Sequence, residues 1–135
     1  MQEAFFPIGN VAEQLVAEYI SRKGHQVLCQ NYRNLGFEID IVSLTKNTLV
    51  LIEVKFRNRA KKDLDLSTII SPRKKRCLKK GINGYISRHQ PRFDTVRCDL
   101  ALACFVTENN QMQKKPYNPR SGIRLYYYED IGLES

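Results

Sequence analysis

Between Gly36 and Arg57 the chain sets Glu38, Asp40, Glu53 and Lys55 into two strongly apolar runs, Ile39 with Ile41 and Val42, and Leu49 to Ile52 with Val54. Charges embedded in such runs are costly unless they are paired, hydrated or bound to a cation. Twelve residues separate Asp40 from Glu53, and Lys55 follows Glu53 by two. Two carboxylates offer hard oxygen ligands to Mg²⁺ or Mn²⁺, which keeps several waters and can also contact a phosphate. Such an ion lowers the pKa of a bound water and stabilises charge developing on phosphate oxygens. A lysine beside the second carboxylate can orient that water and offset negative charge in the transition state. Acid, acid and base in this order suit the metal-assisted hydrolysis of a phosphodiester.

The elements that must position these groups are two strands joined by a polar turn near Thr45-Lys46-Asn47. Strand side chains alternate faces, so Glu38 and Asp40 are expected on one face, and Glu53 with Lys55 on one face. The apolar flanks of Glu53 suit a central strand better than a surface one. The plainer alternative is an amphipathic hairpin with solvated charges on its outer side, since a short motif is a hypothesis until its context agrees.

Around the hairpin, residues 8–23 read as an amphipathic helix with Val11, Ala12, Leu15, Val16, Tyr19 and Ile20 at three- and four-residue spacing, stopped by Gly24. On helix pattern alone, Glu13 sits at the rim of that stripe and faces solvent. A short strand over 26–30 follows, then a turn or bulge from Asn31 to Gly36. Residues 57–67 form a polar loop. Ser71-Pro72 supplies an N-cap and an N1 proline for a helix to about Ser87, with Leu78, Ile82, Tyr85 and Ile86 inward and Lys74, Lys75, Lys79 and Lys80 outward. Gly81 and Gly84 weaken it. A strand over 95–106 carries Arg97 and Asp99. A loop over 107–121 and an aromatic edge strand over 123–128 close the chain. The fold class is α/β, a mixed central sheet flanked by helices.

At 135 residues the chain is expected to be one domain, 1–135. The formal net charge of +8 favours polyanions, chiefly nucleic acid. The charge is uneven: eleven Lys or Arg fall between Lys55 and Lys80, against Asp63 and Asp65. A solvated basic face is the plain reading, but a cluster that begins at the carboxylate strand leans toward phosphate binding. Cys29, Cys77, Cys98 and Cys104 show neither a CxxC pair nor zinc spacing, so reduced thiols are expected. No apolar run reaches the roughly 18 residues of a membrane span, and the start lacks a signal-peptide pattern. A cytoplasmic protein away from the membrane is the expectation. His25 and His89 are expected at the surface, and Tyr126, Tyr127 and Tyr128 in edge packing.

Asp40, Glu53 and Lys55 match the three positions of the PD-(D/E)XK nuclease pattern. The wider sequence resembles the YraN-like family of bacterial endonuclease-like proteins over most of residues 8–105. The resemblance rests on Gly9 with Glu13, Asn31-Tyr32-Arg33, Glu38-Ile39-Asp40, Glu53-Val54-Lys55 with Arg57, Ser71-Pro72-Arg73-Lys74, and Arg97-Cys98-Asp99. The layout is also similar to archaeal Holliday junction resolvases. It implies a restriction-endonuclease-like core in which Glu13 turns inward and joins Asp40, Glu53 and Lys55 at one metal site, with Glu38 at the strand edge. Two positions depart from the family pattern: Ala12 and Phe37 stand where glycines are usual.

The leading expectation is a Mg²⁺- or Mn²⁺-dependent endonuclease acting on DNA in preference to RNA, with branched or structured DNA among its substrates. In it Asp40 and Glu53 ligate the metal, Glu13 completes the shell directly or through water, and Lys55 positions the nucleophile. Arg57, Arg59, Lys74, Lys75 and Lys79 hold the phosphate backbone, and a homodimer is compatible with cutting both strands. The alternative is a nucleic-acid-binding module that keeps the nuclease fold without turnover. A weaker third is a basic scaffold for an acidic protein.

Overall fold

The computed structural model describes residues 8–57, 69–105 and 122–133. Their order is α1 (Ile8–Arg22), β1 (Gln26–Asn34), β2 (Phe37–Thr45), β3 (Thr48–Arg57), α2 (Pro72–His89), β4 (Thr95–Phe105) and β5 (Ile123–Tyr128). The loops expected over 57–67 and 107–121 lie outside the described residues from 58 and from 107 on.

The five strands form one sheet in sequence order, antiparallel except for the parallel pair β3–β4. That pair needs a crossover between its strands, and α2 lies on it. β3 is central and buried on both faces, as its unbroken apolar run requires. Leu49 and Leu51 pack with Leu78, Ile82 and Tyr85 of α2. Val50 and Ile52, one residue out of phase, pack with Val16, Ala17 and Ile20 of α1. The two helices therefore cover opposite faces.

α1 buries Ala12, Val16 and Ile20, one turn apart, and ends where Gly24 takes a φ of 98°. In α2 the Ser71 hydroxyl accepts from Lys74 N at 3.1 Å, which satisfies one of the helix's free amides. Gly81 lies where α2 crosses β2: a Cβ there would meet Ile39 Cγ1 and Cδ1 at 3.3 Å. The glycine that weakens the helix in isolation is thus what lets it approach the sheet.

Lys46 and Asn47, both at positive φ, make the β2–β3 turn. Such two-residue turns match the right-handed strand twist. One expectation is corrected. Of the expected turn or bulge over residues 31–36, only the turn at 31–34 is overturned: β1 runs on to Asn34 and the chain reverses at Leu35-Gly36, while Asn31 is an irregular strand position with a φ of 54°. Tyr32 accounts for the extension: it is buried edge-on against Tyr85, with ring centroids 5.1 Å apart.

The fully buried Asp99 has both oxygens occupied. Arg97 donates to it twice, at 2.9 and 3.1 Å, the Tyr127 hydroxyl donates to Oδ2, and Asp130 N donates to Oδ1 at 2.8 Å. This ties β4 to β5 and to the chain beyond it, and gives Tyr127 a structural place. Burial and the adjacent Asp99 push the Tyr127 hydroxyl far above its ordinary value. Burial likewise pushes the Cys98 thiol up to about 12, leaving it an unreactive core thiol. His25 is half-buried rather than on the surface, its Nδ1 2.8 Å from Ser43 Oγ.

Candidate active site

β2 and β3 stay paired from Thr45↔Thr48 as far as Ile41↔Ile52. At the next residue the Asp40 side chain takes over, its Oδ2 accepting from Val54 N at 2.8 Å. A carboxylate thus satisfies a β3 amide where the ladder ends. The face alternation breaks at the same place. Ile39 packs on the α2 side with Leu78, whereas Ile41 packs on the α1 side with Val16 and Ile20. Across the β1–β2 ladder, Gln30↔Ile41 and Tyr32↔Ile39 bracket Asn31, which stands opposite Asp40 with a φ of 54°. Both strands step together, and the step carries the site.

Glu38 and Asp40 differ in their surroundings, although Glu38 is close enough for its charge to act on Asp40. Glu38 is exposed and pairs with its cross-strand neighbour Arg33 at 3.3 Å, an ion pair worth little in water. Asp40 is half-buried. Glu53, 3% exposed, is one of the few buried charged residues described. Its Oε1 lies 3.4 Å from Lys55 Nζ and 3.6 Å from Lys74 Nζ. Its Oε2 is buried with no hydrogen-bond partner among the described residues.

These surroundings raise both acids. Burial is the first cause for Glu53 and repulsion from Asp40 the second, with Lys74 and Lys55 pulling the other way. For Asp40 burial again leads, opposed by the Val54 amide and the two lysines. Glu13, half-buried on α1, is raised by burial and then by the Asp40 charge, while a hydrogen bond to Asn31 and the Arg33 charge lower it. Its solvent-facing reading from helix pattern alone is corrected: α1 sets it within electrostatic reach of Asp40. Asn31 is the residue that sequence reasoning left without a role.

Lys74 differs most from expectation. It does not face outward; its ammonium reaches Glu53. The signal was present, because Lys74, Leu78 and Ile82 are spaced by four and lie on one stripe of α2. Lys75 also turns in, donating to Ile131 O at 3.4 Å. Lys79 and Arg57 are exposed as expected, Arg57 donating to Phe56 O. Arg59 lies outside the described residues.

A divalent ion can be tested against this donor set. Among the described residues no group of three or more His, Cys, Asp or Glu could by itself hold a metal. Mg²⁺ asks less, because it keeps several waters and takes only one or two protein carboxylates. Asp40 beside a buried, partnerless Glu53 oxygen fits that demand.

Helices on both faces of a five-stranded mixed sheet, with the acids and lysine where the central strands part, make a restriction-endonuclease-like core. The model of the uncharacterised protein family UPF0102 matches residues 12–98, a span that contains Glu13, Asp40, Glu53, Lys55 and Lys74. The chain belongs to that family. It is similar to a UPF0102 protein of Carboxydothermus hydrogenoformans, 37% identical over 97 residues that cover 66% of this chain and 79% of that protein. It is similar also to one of Caldanaerobacter subterraneus subsp. tengcongensis, 34% identical over 98 residues covering 69% and 80%. A third relative, from Chlorobium limicola, is 30% identical over 107 residues covering 78% and 82%.

Proposed function

We propose that the protein is a Mg²⁺- or Mn²⁺-dependent endonuclease that hydrolyses phosphodiester bonds in DNA, branched or structured DNA included. The observation that carries this reading is Glu53: a buried carboxylate with one oxygen unpartnered, beside a second acid and two lysines. A buried carboxylate with one oxygen left unpartnered lowers stability, a cost that a divalent cation bound there would offset. Asp40 and Glu53 would hold the ion, which would supply a deprotonated water and a counter-charge for the phosphate. Glu13, within electrostatic reach of Asp40, would hydrogen-bond a water of that ion. Lys55 would orient the attacking water and stabilise the charge that develops on the phosphate. The exposed Arg57 and Lys79, with Arg59, would contact the phosphates on either side. Among the described residues no helix is long and apolar enough to cross a membrane.

A second reading is a nucleic-acid-binding module without turnover, favoured by the lack of a three-donor metal cluster among the described residues. Cleavage assays with Mn²⁺ separate the two. Asp40→Asn and Lys55→Ala are expected to abolish cutting while DNA binding and the melting temperature stay close to wild type. Cutting that survives in either variant refutes the assignment.

A further inference from the structure

Two ammonium groups, not one, converge on Glu53 Oε1. Lys55 is the partner that the strand motif provides. Lys74 arrives from a different element, the first turn of α2, where the Ser71 cap on its own backbone amide holds its starting point. The Lys74 side chain is 35% exposed and that of Lys55 30%, so each ammonium can be reached from solvent while it touches a carboxylate that is 4% exposed. One carboxylate oxygen needs one cation, yet both lysines sit on Oε1 while Oε2 has no partner. In the structure as it stands, Asp40 and Glu53 balance the two ammoniums, and Glu13 adds a third acid within electrostatic reach of Asp40. A divalent ion on Asp40 and Glu53 would leave positive charge in excess, which an anionic phosphodiester would offset.

We propose that Lys74 is a second cation of the catalytic centre: it neutralises Glu53 in the metal-free protein and moves onto the substrate phosphate when Asp40 and Glu53 take up a divalent ion. This rests on the nuclease reading and adds a residue outside the strand motif. The flexible four-carbon stem lets the ammonium swing while the capped helix start stays in place. Lys74 therefore does two opposed things: it competes with the metal and it attracts the phosphate.

The test uses the full chain with Lys74→Met and the charge-keeping Lys74→Arg, each checked for folding by its melting curve. Lys55 remains on Glu53 in both, which protects the fold; Lys74→Gln serves if the methionine variant does not fold. Mn²⁺ titration without nucleic acid is expected to show about two- to fivefold tighter binding in Lys74→Met, the scale of a half-exposed ion pair removed. Binding to a DNA duplex and a four-way junction is then measured across salt concentrations with Ca²⁺ in place of Mn²⁺. The slope of log affinity against log salt is expected to be shallower by about one contact in Lys74→Met and restored in Lys74→Arg. An unchanged Mn²⁺ affinity or an unchanged salt slope overturns the role of Lys74. A wild-type protein that binds neither Mn²⁺ nor DNA overturns the nuclease reading as well.

Discussion

Replacing Glu53 by Gln is expected to make the metal-free protein more stable at neutral pH, although it removes two ion pairs. At 3.4 and 3.6 Å the lysines each offer about 5 kcal/mol of Coulomb attraction at an effective dielectric near 20. Solvent at both ammoniums reduces that figure, burial of the carboxylate opposes it by several kcal/mol, and Asp40 repels it further. The raised pKa gives the sign of the balance: the charged form is disfavoured in the fold. A group raised in this way contributes fully below its unfolded value, near pH 4.3, and its contribution is lost as pH rises through the folded value. Glu53→Gln should therefore gain about 1 kcal/mol near pH 7, roughly 3–5 °C in melting temperature, and nothing near pH 4. The assay is thermal unfolding with a chelator from pH 4 to 8, then again with Mn²⁺. Mn²⁺ at a hundred times its dissociation constant should stabilise the wild type by about 2.7 kcal/mol and the variant far less. Loss of several kcal/mol in chelated Glu53→Gln at pH 7 would refute the reasoning, because the carboxylate would then be a net structural anchor.

Two further outcomes concern the frame. Gly81→Ala is expected to lose about 1 kcal/mol despite better helix propensity, since its Cβ meets the buried Ile39 at 3.3 Å. Gly84→Ala, whose nearest neighbour is Asn34 Nδ2 at 3.8 Å, should gain about 0.5–1 kcal/mol; urea unfolding of the pair reads both signs. Tyr127→Phe is expected to cost about 1.5–3 kcal/mol in the same assay, because it removes a hydroxyl donor from the fully buried Asp99.

Much of the frame could be read from residue order. The four-residue spacing in α1, the Ser71-Pro72 start of α2 and the doubly apolar run of β3 each follow from local pattern, and each stands where expected. Asp40, Glu53 and Lys55 stand out for a different reason: charges in apolar strands conflict with local rules, and such conflicts single out candidate sites. What pattern missed depends on tertiary geometry. Period-two alternation cannot foresee that β1 and β2 step together at Asn31 and Asp40, because a bulge-like step is a property of two paired strands. The inward turn of Lys74 was hidden because a run of lysines reads as a solvated face, although position 74 continues the Leu78–Ile82 stripe. β1 runs further than local pattern suggests, since Asn31 and Asn34 look like turn residues while the burial of Tyr32 against Tyr85 arises only once α2 has docked.

The most direct measurement is metal-dependent cleavage of a panel holding four-way junction, flap, single-stranded and linear duplex DNA with structured RNA, in Mg²⁺ or Mn²⁺, by wild type beside Asp40→Asn. The expected result is cutting of at least one DNA substrate by the wild type, abolished by chelator and absent in Asp40→Asn. Cutting that persists in Asp40→Asn, or a wild type that binds the panel in a salt-dependent way and cuts none of it, would contradict a metal-dependent nuclease centred on Asp40 and Glu53.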